Sequence, residues 1–227
     1  MALKIKENEQ LVKRLAATGY YKLNVSRKNK KLVPNDTTDF IIWNIPAIKT
    51  CPFRTKECEL ACYARKAEKA YPTCLPSREN NFNESLKDSF VFNMVYTILS
   101  IRKTSRKDNI VVRIHESGDF YNKVYAEKWL RIMDYCKGEN IQFIAYTKSY
   151  PYFDNVKLAN NFSLRFSIWN DTTENALNTC KANNWNIYTA VKSFSDNDTF
   201  TQCRCRDCAS CGYCWNNLYK DICCEIH

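Results

Sequence analysis

The sequence predicts an α/β fold, a partial or full (β/α) barrel-like parallel sheet that ends in a cysteine-rich, metal-binding tail. Three observations carry this expectation. Runs of β-branched and aromatic residues alternate with segments of helical periodicity, the pattern of βα units. Polar or ionisable residues follow the end of every such run, where a parallel sheet gathers its chemistry. Thirteen cysteines are present, most of them in two clusters.

Strands are expected at 39–45, 109–114, 141–146, 162–169 and 185–191. Helical periodicity marks 57–69, 81–102, 121–136 and 172–183. No repeat, linker or low-complexity tract divides the chain. One domain is therefore expected, with a basic N-terminal arm at 1–33, an α/β barrel-like body at 34–198 holding a cluster loop at 51–62, and a cysteine-rich tail at 199–227.

Composition excludes several classes. The 227 residues are 45% hydrophobic and 26% charged, the ordinary globular range. No apolar run is long enough to span a bilayer, so no membrane partner is expected. Four glycines, far below the usual ~7%, leave no Walker loop or dinucleotide fingerprint. The opening residues lack the apolar core of a secretory signal. An odd number of cysteines without such a signal points to free thiols in a reducing cytoplasm, and bunched thiolates there point to metal.

The formal net charge is +10, and the first 33 residues alone contribute +7. Lys13-Arg14 and Arg27-Lys28-Asn29-Lys30-Lys31 are the foci. This arm is a candidate contact for nucleic acid through its phosphates, or a solvated edge of the fold.

The first cluster is Cys51, Cys58 and Cys62, spaced C-x6-C-x3-C at a strand–loop–helix junction. Two cysteines four apart would share a helix face, and the loop would bring Cys51 over them. Three thiolates can hold three irons of a 4Fe-4S cubane and leave the fourth open to substrate or cofactor. Zinc is the alternative, although the long gap is unlike a structural zinc knuckle. The second cluster is Cys203, Cys205, Cys208, Cys211 and Cys214. It comes close to the ferredoxin run C-x2-C-x2-C-x3-C-P. A second iron–sulfur cluster is the first expectation for the tail and structural zinc the second. One of its thiols could instead complete the first site, and Cys223, Cys224 and His227 stand nearby as further donors. Cys136 and Cys180 read as core, and Cys74 as a minor candidate ligand.

Three strand-end residues are candidate catalytic groups: His115, Asp119 and Lys148. Ser117-Gly118-Asp119 is a candidate cofactor-binding turn, since it spends one of the few glycines where backbone must approach something closely.

These motifs resemble a known family. Trp43-Asn-Ile-Pro-Ala-Ile-Lys-Thr-Cys51-Pro, Cys58-x3-Cys62-Tyr-Ala, His115-Glu-Ser-Gly-Asp-Phe120, Ala145-Tyr-Thr-Lys-Ser149 and the tail's Cys-x2-Cys-Gly-x-Cys-Trp are similar to the gene product 88 family of bacteriophages. The likeness runs from about Gly19 to the C-terminus. It implies a phage protein acting in the infected cell's cytoplasm and supplies no reaction. A more distant likeness is to radical S-adenosylmethionine enzymes. Those pair a three-cysteine loop after the first strand with a glycine/acid turn after the second, which holds the methionine amino group. Cys51, Cys58 and Cys62 match the loop in position, and Ser117-Gly118-Asp119 matches the turn. The spacing differs from the usual C-x3-C-x2-C, and Asp replaces the usual Glu. This likeness implies S-adenosylmethionine on an open iron, Asp119 and Lys148 lining the pocket, and an external electron donor.

Overall fold

Alternation along each strand sorts the side chains onto the two faces of one curled sheet. The computed structural model describes residues 2–197, 199–205, 207–217 and 220–226. Among them, seven strands form an all-parallel half-barrel: β1 (Thr38–Trp43), β2 (Asn109–Ile114), β3 (Ile141–Thr147), β4 (Phe162–Ile168), β5 (Asn186–Val191), β6 (Thr201–Gln202) and β7 (Ile222–Glu225). Their order is β1-β2-β3-β4-β5-β7-β6, and every neighbouring pair is parallel. The expected α/β half-barrel is what the chain forms.

One face takes Ile41 and Trp43 of β1, Ile110, Val112 and Ile114 of β2, Phe143 of β3 and Phe166 of β4. Helices cover it: α5 (Phe90–Thr104), α6 (Lys123–Tyr135) and α7 (Glu174–Ala182). Helix α6 shows how local sequence does this. Asn122 caps it by accepting from the Tyr125 N–H at 2.8 Å. Its buried residues Tyr125, Ala126, Trp129, Ile132 and Met133 then follow the spacing of a single helical face. Each large apolar side chain buried this way is worth about 1.5–3 kcal/mol. The opposite face carries Phe40, Ile42, Val111 and Ile144, and it is covered by Leu32 and by Ala209 and Trp215 of the tail.

Four strands begin and end within two residues of the expected positions, and β2 coincides with its expectation. The helices differ more. The expected helix 57–69 is two pieces, α2 (Lys56–Leu60) and α3 (Tyr63–Ala70). Ala61 closes α2, and Cys62 turns to an extended ψ of 101° as the N-cap of α3. Cys58 and Cys62 therefore do not share one helix face. The expected helix 81–102 is also divided, into α4 (Cys74–Leu86) and α5, by an extended Lys87. Helix α1 (Ala2–Ala17) was not expected. Among its described side chains, Leu11, Val12 and Leu15 pack on the helix-covered core. Lys13, Arg14, Lys28 and Lys30 are exposed, while Arg27 is ion-paired with Asp39. Among the described residues no helix is long and apolar enough to cross a membrane.

Candidate metal centre

Five loops leave the C-terminal edge of the sheet side by side, and the first two are stitched together. Asn44 Oδ1 accepts the backbone N–H groups of Glu116 (2.8 Å) and Ser117 (3.1 Å). The Ile45 N–H donates to the Ser117 carbonyl at 3.2 Å, and the Ser117 hydroxyl donates to the Ile45 carbonyl at 2.9 Å. Gly118 has φ +84°, and a Cβ there would meet Ile45 Cγ1 at 2.4 Å and Thr50 Oγ1 at 2.6 Å. The close approach expected of this glycine is made to the cluster loop itself. Glu68 of α3 braces the same loop by accepting from the Ala47 N–H and from Arg78, both at 2.8 Å.

Strain collects in these two loops. Ile48 has φ 65° and His115 has φ 61°, both in the left-handed region. For a β-branched residue this is a true outlier, costing of the order of 1–3 kcal/mol that the surrounding contacts must outweigh. Ile48 opens the turn that delivers Cys51, whose N–H returns to the Ile48 carbonyl at 3.1 Å.

The three cysteines of the loop act on one another electrostatically. The Cys51 thiol lies within electrostatic reach of Cys58, Cys62 and the Asp119 carboxyl. Burial, and then Asp119, push its pKa up to about 12. Cys58 also titrates above the ordinary range, first because it is desolvated, although Lys148 beside it pulls the other way. Thr55 places Cys58 by capping its N–H at 3.3 Å. All thirteen cysteines are free thiols. Among the described residues, no three His, Cys, Asp or Glu side chains close on one point as a single bound ion requires. A cubane asks for a wider set, because each thiolate binds a different iron.

Asp119 and Lys148 face this cysteine group. Asp119 is buried, with Oδ1 accepting from the Thr147 hydroxyl (2.6 Å) and the Phe120 N–H (2.8 Å), and Oδ2 from the Lys148 N–H (2.9 Å). Desolvation raises its pKa, and these three donors oppose the rise. Lys148 Nζ donates to Ser167 Oγ at 2.9 Å, acts electrostatically on the Cys58 thiol and lies 5.6 Å from the Trp169 ring centre. A cavity of about 350 Å³ opens here, lined by Phe53, Lys148, Tyr150, Phe166 and Ser167. A second, of about 660 Å³, lies on the other side of α2 against Trp169, Val191 and Lys192.

His115 is placed differently. Its ring is buried in an aromatic box, with Nε2 2.9 Å from the Tyr125 hydroxyl and Phe120 edge-on at 4.9 Å. Burial lowers its pKa to about 3, so the ring is neutral at neutral pH, and Nδ1 has no partner. Ser117 and Gly118 are spent on the cluster loop.

In the tail, Cys203, Cys208 and Cys214 approach one another, and Cys224 of β7 joins them. Cys211 is acted on by Cys205 first and by Cys203 after it. Cys136 and Cys180 are core, as expected, and His227 lies outside the described residues. Sequence reasoning missed Asn44, Glu68 and Arg78 as loop supports. Nothing in their spacing marks them, since each acts through contacts made only in the fold.

The family described as Gene product 88 matches residues 6–217, and the chain belongs to it. The Gene 88 protein of Mycobacterium phage D29 is 33% identical over 129 residues, 52% of this chain and 51% of that one. The Gene 88 protein of Mycobacterium phage L5 is 32% identical over 106 residues, 44% of this chain and 43% of that one. The chain spans about half the length of the curated relatives it matches. No solved structure matches it.

Proposed function

We propose that this member of the gene product 88 family is an iron–sulfur protein of bacteriophage origin, with its principal cluster on Cys51, Cys58 and Cys62. The observation that carries the reading is the meeting of three thiols from separate backbone segments with Asp119 and Lys148 at the C-terminal edge of a parallel sheet. The donor set fits the group. The thiols are soft, and their number would leave one iron of a cubane without a protein ligand. When bound and reduced, such a cluster supplies single electrons to a molecule on its open iron.

The chain's own residues then have definite tasks. Lys148 places positive charge beside Cys58 and offsets the charge of a thiolate-ligated cluster. Asp119 Oδ2 keeps acceptor capacity after its one bond from Lys148 N–H, which suits the amino group of S-adenosylmethionine or another cationic ligand. Ser117 and Gly118 fix the turn that holds Asp119, and the cavity beside Lys148 would take the rest of the ligand. A radical S-adenosylmethionine-like reaction, with an external electron donor, is the activity this arrangement serves. The test is anaerobic purification followed by reduction with S-adenosylmethionine. Cleavage, or a change in the cluster's spectrum on adding it, is expected. An iron-loaded protein that shows neither would remove the S-adenosylmethionine part of the reading.

A further inference from the structure

Away from the first site, sulfur gathers on the sheet face opposite the helices. Strand β6 pairs with β7 so that Gln202 stands opposite Cys223. The Cys203 N–H donates to the Cys223 carbonyl at 2.7 Å, carrying that ladder one residue further and bringing Cys203 beside Cys224. Cys224 pairs with Ala190 of β5, two residues beyond Tyr188, so both lie on the Tyr188 face. Tyr188 lies within electrostatic reach of the Cys224 thiol. Its ring packs edge-on against Tyr146, with centroids 4.4 Å apart. Tyr146, Cys208 and Cys214 each pack against the Phe40–Ile144 cluster on this side of the sheet. Backbone bonds fix the last two: the Cys214 carbonyl accepts from Ser163 Oγ at 2.5 Å and Arg165 Nε at 3.3 Å, and the Cys208 N–H donates to the Lys31 carbonyl at 3.0 Å.

We propose that Cys203, Cys208, Cys214 and Cys224 form a second, four-thiolate metal centre on the inner face of the half-barrel, separate from the first cluster. The ligand set is not the every-third-residue run the tail displays. Cys211 answers to Cys205 ahead of Cys203, and Cys224 arrives from a strand. Four thiolates around a metal leave net negative charge, which is costly to bury without cations nearby. Two stand there. The Arg113 guanidinium lies 3.9 Å from the Tyr146 ring centre and acts on Cys208, and Lys31 acts on Cys203, Cys208 and Cys224. Four protein ligands leave no open position, so this centre stabilises the tail or carries electrons and binds no substrate. No three described side chains close on one point as a single ion requires, so the group this set suits is an iron–sulfur cluster, in which each thiolate binds a different iron.

The experiment starts from the chain with Cys51, Cys58 and Cys62 all replaced by Ala, which isolates the second centre from the first. Purified anaerobically, that variant is expected to retain bound iron together with acid-labile sulfide. Adding Cys224→Ser or Cys208→Ser should abolish the retention, while Cys205→Ser with Cys211→Ser should leave it intact. In the unmutated protein, alkylation mapped by mass spectrometry should find Cys203, Cys208, Cys214 and Cys224 protected until a chelator is added, and Cys205 labelled without one. This second readout does not depend on any variant folding. A triple-alanine chain without metal, from a protein that is otherwise metal-loaded, overturns this centre and leaves the first standing. Undiminished metal in the Cys224→Ser chain, or early alkylation of Cys224, overturns it as well.

Discussion

Gly118 lies so close to Ile45 that a single added methyl group would stand 2.4 Å from the Ile45 side chain. The contact joins the turn after the second strand to the loop that carries the first cysteines. Gly118→Ala would meet both this wall and a φ of +84°, with an expected cost of about 2–4 kcal/mol. Thermal unfolding checks the loss. Iron content should fall with it, because the alanine pushes on the backbone that delivers Cys51.

Asp119 binds three donors through its two carboxylate oxygens. Asp119→Asn turns an NH₂ toward at least one of those donors, which leaves a buried polar group unmatched. A loss of about 1–3 kcal/mol is expected in chemical denaturation. Iron should still load, whereas the spectral response to S-adenosylmethionine should vanish.

His115 gives a pH signature. Its folded pKa of about 3 lies below the 6.5 of the unfolded ring. The unfolded chain therefore takes up a proton first as pH falls. The native contribution is complete above pH 6.5 and is lost progressively down to about 3, at up to about 1.4 kcal/mol per pH unit. His115→Asn, a residue that tolerates the left-handed φ of 61°, should flatten this part of the stability–pH curve. An unchanged slope would show that the buried ring is not its source.

Lys148 stands between Ser167 and the Cys58 sulfur. Lys148→Met should leave iron and sulfide content near the parent value and shift the cluster's reduction potential negative by tens of millivolts, since one nearby cation is lost. Potentiometric titration followed by electron paramagnetic resonance measures it.

Much of the scaffold could be read from residue order alone. Runs such as 109–114 and 162–168 are long, β-branched or aromatic, and flanked by polar breaks, so their strands stand out. The cysteine loop and the Ser117-Gly118-Asp119 turn were also legible, because an unusual residue in an unusual place marks itself. Other features were not. Cys62 ends one helix and caps the next, a break that composition does not signal because 57–69 keeps its helical periodicity throughout. Strands β6 and β7 hide in a cysteine-rich tail with too few residues to show alternation. The placing of Cys203 beside Cys224 arises from sheet register between segments about twenty residues apart, which spacing along the chain does not encode.

Iron and acid-labile sulfide, measured on anaerobically purified protein beside its Cys51→Ala, Cys58→Ala and Cys62→Ala variants, address the central claim most directly. A brown protein is expected whose iron and sulfide fall by one cluster in each variant while circular dichroism stays native-like. A colourless parent without sulfide, or variants that keep their full complement, would contradict it.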